Sequence, residues 1–125
     1  MPQIENIEAL VTDWESVPVE RTAEGIERQM IVGQNMTMCR FRFAPFVVTA
    51  EHSHYHEQIT LVLQGKVKFT ISGEERVVPA GTVIHFPPNN RHGATMLDEE
   101  VVLIDIFSPV REDFLSVART SRSAK

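Results

Sequence analysis

Cysteine, tryptophan and tyrosine each occur once in the 125 residues. A lone Cys39 cannot close an internal disulfide, so burial and hydrogen bonding must hold the fold, and the usage fits a reducing compartment. The neighbours of Cys39 suggest a buried, inert thiol. No apolar run approaches the roughly 20 residues that span a bilayer, and the opening Met1-Pro2-Gln3-Ile4-Glu5 lacks the charged and apolar regions of a signal peptide. The expectation is a cytoplasmic chain with no membrane partner. Positive charge is scarce too: 12 Lys and Arg stand against 17 Asp and Glu, a net charge of −5. Nucleic acid is therefore not expected as a partner, since gripping phosphates needs a basic face. Helical apolar stripes are missing throughout the stretch from Gly25 to Pro109.

That stretch holds short blocks rich in β-branched and aromatic residues, punctuated by Gly65, Gly73 and Gly81. The blocks predict strands over Gln29–Val32, Asn35–Phe43, Gln58–Leu63, Lys66–Ser72, Glu75–Val78, Thr82–Phe86 and Glu100–Phe107. A chain of this length supports one core. Many short strands in one domain point to an all-β fold, a closed barrel or jelly roll, with an up-and-down barrel as competitor. Residues 1–28 read as an N-terminal arm in which Trp14 and nearby valines form an outer strand, residues 29–115 as the barrel, and residues 116–125 as a solvated tail. Arg111 to Val117 reads as a short helical turn. There is no internal repeat.

Three of the five histidines fall within Glu51-His52-Ser53-His54-Tyr55-His56-Glu57-Gln58. Strand side chains alternate between faces, so His52, His54, His56 and Gln58 share one parity, a row of metal-ligand types. Imidazoles two residues apart can converge on one ion at about 2.1 Å each. The same spacing also suits a solvated polar loop.

The segment resembles the first motif of the cupins, a His-x-His pair followed by a Glu and a Gly. His52, His54 and Gly65 match it, with Gln58 in place of the Glu. Gly81, Pro87 and His92 match the second motif at its spacing, and Asn89 replaces the inner Gly, a change tolerable because Asn visits the left-handed region. Phe46, Thr82 and Met96 depart from the motifs at positions that are not metal ligands in the family. The resemblance implies a cupin double-stranded β-helix and one divalent metal ion held by His52, His54, Gln58 and His92. Imidazole and amide ligands suit nickel, zinc, iron and manganese alike. A neutral Gln58 would leave the ion its full charge as a Lewis acid. His56 is expected at the rim, and His85 as a structural or surface residue.

Within the cupins, His-Ser-His, Val62-Leu63-Gln64-Gly65 and the stretch from Asp105 to Phe114 resemble the pectin-degradation group called KdgF. That resemblance implies opening of 4,5-unsaturated uronate monosaccharides to linear 5-keto-4-deoxyuronates, with Asp105, Phe107 and Arg111 completing the site, and a homodimer. From the residues alone, Asp105 and Phe107 share a strand face, and a carboxylate between Ile104 and Ile106 needs a partner if buried, as easily a neighbouring Arg as a substrate. Arg111 alone would read as a surface residue, placed beyond the Ser108-Pro109 turn where it could fold back toward the barrel mouth. Under the resemblance it suits bidentate capture of the sugar acid's carboxylate, with Arg40 and Arg42 as second choices for that anion. Two further readings share the ligands: a metal-dependent dioxygenase or other lyase, and a non-catalytic sugar-acid binder.

Overall fold

The computed structural model describes residues 8–115. Ten strands run β1 Glu20–Ala23, β2 Ile26–Val32, β3 Thr37–Phe43, β4 Val48–His52, β5 Glu57–Gln64, β6 Val67–Ile71, β7 Glu74–Val78, β8 Val83–Phe86, β9 His92–Met96 and β10 Val101–Ser108. They form a six-stranded sheet, β1-β2-β3-β10-β5-β8, and a four-stranded sheet, β4-β9-β6-β7. Every pairing is antiparallel. Two such sheets closed face to face make a jelly roll.

The expected outer strand at Trp14 is instead a 3-10 turn, Trp14–Ser16, capped by the Asp13 carboxylate, which accepts from the Ser16 amide at 2.9 Å. The edge strand is β1, whose Glu-Arg-Thr-Ala sequence is polar because one side faces water. The expected helical turn near the C-terminus is a 3-10 turn, Glu112–Phe114; its continuation to Val117 and the 116–125 tail lie outside the described residues.

Inward positions change character along the strands, and this places the site. On β10, Val101 and Leu103 join the core, Leu103 also forming part of a cavity's apolar wall, while Asp105 and Phe107 face that cavity. On β5, Val62 is core and Gln58 lines the cavity; on β9, Met96 is core and His92 lines the cavity. One end of the barrel is thus sealed by Phe43, Val62, Val67, Phe69, Phe86 and Met96, and the other is polar.

Turn chemistry supports this closure. Gly65 has φ +84°, and a Cβ there would lie 2.4 Å from the Glu100 carbonyl oxygen. Gly65→Ala combines left-handed strain with a backbone clash, so a loss of about 2–4 kcal/mol is expected, read as a lowered denaturation midpoint. Asn89 has φ 66°, so the residue replacing the motif glycine does take the left-handed conformation. Phe46 also has positive φ, 68°, a conformation that costs a bulky residue about 1–2 kcal/mol.

Candidate metal centre and substrate cavity

The histidine row is not one strand face. β4 ends at His52, residues 53–56 form a loop, and β5 restarts at Glu57. The loop carries the chain from the four-stranded sheet to the six-stranded one, so His52 and Gln58 approach one another from opposite walls. His92 arrives on β9, directly opposite His52 in the strand register. The potential ligand atoms of His52, His54 and His92 all lie within 4.8 Å of one another.

Each of the three rings is held by a carbonyl two residues away. His52 Nδ1 donates to Ala50 (2.9 Å), His54 Nδ1 to His56 (3.0 Å) and His92 Nδ1 to Asn90 (2.9 Å). A neutral imidazole that donates from Nδ1 keeps its lone pair on Nε2, so the three rings are set as acceptors. Burial lowers the pKa of His54 and takes that of His92 down to about 4, which keeps both neutral near pH 7. Phe86 stacks on His92 at 4.3 Å and fixes its plane.

Gln58 extends the pattern. Its Nε2 donates to Thr60 Oγ1 (2.9 Å), and the Thr60 hydroxyl donates to Asp105 Oδ1 (2.5 Å). With Asp105 ionised, these bonds orient the amide so that Oε1 faces His54 Nε2 at 3.0 Å. Two lone-pair atoms then confront each other at a spacing that cis ligands of one ion, each at about 2.1 Å, would adopt. A shared cation resolves that repulsion, so the residues fit a divalent metal.

The cavity has a volume of about 270 Å³ and is lined by His52, Gln58, His92, Asp105, Phe107 and Arg111, with Phe41, Phe43 and Leu103 among its apolar walls. Burial raises the Asp105 pKa to about 6, against the lowering effect of Thr60, Gln58 and Arg111. Its hydrogen bond is to Thr60, a partner that sequence reading did not anticipate. The β5–β10 register sets Thr60 directly opposite Asp105. Cys39 faces Asp105 from β3 and is buried, its thiol pKa pushed well up by desolvation, as expected of an inert thiol.

Arg111 does fold back, and it is 8% exposed. Its guanidinium stacks 4.7 Å from the Phe107 ring and 4.1 Å from Phe114, while Arg28 covers Phe114 from 4.4 Å. The fork expected to receive a substrate carboxylate is held by Asp113, through Nε (2.9 Å) and Nη2 (2.6 Å).

Three expectations are corrected. His56 is not at the rim: it is 3% exposed, with Nε2 on Glu112 Oε1 at 2.8 Å. Arg40 and Arg42 cannot meet an anion in the cavity, because Phe41 and Phe43 take the inward positions of β3 and both arginines border a separate outer depression beside Trp14. Arg40 lies over Trp14 and Arg42 pairs with Glu100 at 2.8 Å. The continuous ligand row is broken by the loop described above. His85 is exposed and pairs with Glu57 at 2.6 Å, in keeping with a surface role. His56, Glu112 and Asp113 form a second grouping of possible ligands, but their ligand atoms are already engaged with one another and with Tyr55 and Arg111.

The family model for the cupin domain matches residues 39–107. The chain belongs to the cupin family. This cupin is 36% identical over 103 residues to the pectin degradation protein KdgF of Dickeya dadantii (strain 3937), covering 81% of the chain and 94% of that protein. The structure of KdgF from Halomonas sp. superposes with a TM-score of 0.81 at 27% identity, covering 86% of the cupin and all (100%) of that chain. An RmlC-like cupin from Shewanella frigidimarina NCIMB 400 gives a TM-score of 0.80 at 30% identity, over 86% of the cupin and 96% of that chain. Among the described residues of the cupin, no helix is long and apolar enough to cross a membrane.

Proposed function

We propose that this cupin opens 4,5-unsaturated uronate monosaccharides to 5-keto-4-deoxyuronates in pectin or alginate breakdown, as a metal-dependent isomerase or lyase-type enzyme acting in the cytoplasm as a homodimer. The observation that carries the reading is Asp105, a carboxylate with pKa near 6 in a cavity shared with the histidine cluster. Similarity to two KdgF proteins supports the substrate class.

His52, His54, Gln58 and His92 would hold one divalent ion, nickel, zinc, iron or manganese. When bound, the ion supplies Lewis acidity toward the substrate's carboxylate and ring oxygen. The reaction is an isomerisation. Ionised Asp105 removes the proton of the anomeric hydroxyl, the C1–O5 bond breaks as C1 becomes an aldehyde, and the C4=C5 enolate is released. Asp105, now protonated, returns the proton to C4, and the C5 ketone forms with no other reactant consumed. A pKa near neutrality suits a group that must both take and give a proton. Phe107 packs against the sugar and limits water. Arg111 takes the carboxylate, through the part of its guanidinium that Asp113 leaves available or by exchanging Asp113 for the substrate.

The decisive experiment loads the purified protein with metal, adds the unsaturated uronate and follows loss of its ultraviolet absorbance. Turnover above the spontaneous rate is expected; a rate equal to it refutes the reading. Arg111→Ala should raise KM between about tenfold and a hundredfold, the worth of a charge-assisted hydrogen bond, with metal content by elemental analysis unchanged.

A further inference from the structure

We propose that His56 and Glu112 are positioning residues, a clasp that holds Arg111 at the cavity mouth and ties it to the metal-ligand candidate His54. The proposal rests on the reading of the site given above, and deepens it.

His56 works in both directions at once. Its backbone carbonyl accepts from His54 Nδ1 at 3.0 Å and so sets that ring's tautomer and plane. Its side chain reaches the other way, to Glu112 Oε1 at 2.8 Å. Tyr55 stacks on the His56 ring with centroids 4.1 Å apart and donates its hydroxyl to the same carboxylate. Two donors from the ligand-bearing loop thus converge on one side chain of the 3-10 turn. That turn begins at its N-cap, Arg111, whose carbonyl accepts from the Phe114 amide at 3.0 Å. Holding Glu112 therefore holds the backbone from which the Arg111 and Asp113 side chains extend.

A purely structural role accounts poorly for this arrangement. His56 Nδ1 is buried without a hydrogen-bond partner, and an orphaned polar atom weakens a fold. An aromatic hydrocarbon would fill the same space without that defect. Glu112 is largely exposed, where an ion pair adds little stability. What the pair supplies is location: among the described residues, the other fastenings of the 3-10 turn are the Arg111 amide bond to Thr37 Oγ1 at its start and the packing of Phe114 on Arg28, Phe107, Met30 and Cys39 at its end, and neither holds Glu112.

The test uses the metal-loaded full chain and compares Glu112→Ala, Glu112→Gln and His56→Phe with the parent. Glu112→Ala should raise KM for the unsaturated uronate roughly tenfold with kcat within about threefold, since loose placement of a binding group costs affinity first. Glu112→Gln keeps one oxygen to accept from His56 Nε2, and its amide can donate to the Tyr55 hydroxyl in place of the bond that Oε2 accepted, so it should restore KM. His56→Phe should unfold no earlier than the parent yet show the raised KM, an outcome that a stabilising role could not produce. Independently of turnover, amide exchange at Arg111 and Phe114 should quicken at least about tenfold in Glu112→Ala while the barrel strands stay unchanged. Unchanged KM and unchanged exchange in Glu112→Ala overturn the clasp, as does a lower midpoint accompanied by an equal fall in kcat. If the parent itself shows no turnover, the uronate reading fails, and the exchange data still decide the clasp.

Discussion

The expected result of His92→Ala is a protein that no longer retains its metal and turns over uronate at the spontaneous rate. His92 is 5% exposed and stands on β9 opposite His52, so its loss removes one of the two ligands from the four-stranded wall. Disturbing groups that merely orient a metal ligand already costs about 10–100-fold in affinity, and deleting the ligand should exceed that. Equilibrium dialysis followed by elemental analysis gives the stoichiometry. The thermal midpoint supplies a second readout: ligands that bind only the folded state stabilise it, by about 4 kcal/mol at a thousand times Kd. Added metal should therefore raise the midpoint of the parent and leave that of His92→Ala unmoved. Since alanine also leaves a gap beside Phe86, His92→Leu, which fills much of the space without a ligand atom, serves as the second comparison. A His92→Ala protein with full metal content and normal turnover would exclude this residue from the centre.

Asp105→Ala should separate binding from chemistry. The carboxylate reaches the ligand set only through Thr60 and Gln58, so metal content should persist while kcat falls about 10²–10⁴-fold, the usual worth of a positioned acid–base group. Asp105→Asn adds a stability test in the metal-free protein. Because the folded pKa lies near 6, above the usual 3.8, burial of the ionised form opposes folding. Below about pH 3 the group is protonated in both states and contributes no penalty; the penalty grows between about pH 3 and 6 and reaches about 3 kcal/mol above that. Asparagine keeps an acceptor for Thr60 without the charge. The variant should thus match the parent at about pH 3 and exceed it at about pH 8 in denaturant titrations, gaining stability as it loses activity. Equal stability of the two proteins across this range would mean that Asp105 is not held in an unfavourable environment.

Strands with strong β-propensity or alternation were legible within a few residues of their ends. Lys66–Ser72 was expected where β6 spans Val67–Ile71, and Glu100–Phe107 where β10 spans Val101–Ser108. β4 and β9 were not. β4, Val-Thr-Ala-Glu-His, is mostly exposed and lacks a buried face to impose a period. β9, His-Gly-Ala-Thr-Met, is buried at four of its five positions and mixes small and polar residues. Both are strands because the long-range ladder between them and to β6 demands it, and no local preference reports that. These two strands carry His52 and His92, so the weakest part of the strand reading fell on the site. The motif spacings, and not periodicity, drew attention to those residues.

By itself the sequence determined the chemical inventory: imidazoles and an amide at motif spacing, a carboxylate and a phenyl ring on one face of an apolar strand, and an arginine just beyond its end. Residue types and alternation are local properties, carried by the covalent chain. Only the tertiary structure decided which of them meet. It set His52 against His92 across a ladder, turned His56 inward to Glu112, sent Arg40 and Arg42 to the outer face, and placed Thr60 rather than an arginine beside Asp105. Those outcomes depend on the register between strands distant in sequence and on backbone carbonyls that orient the rings, and no local pattern encodes either.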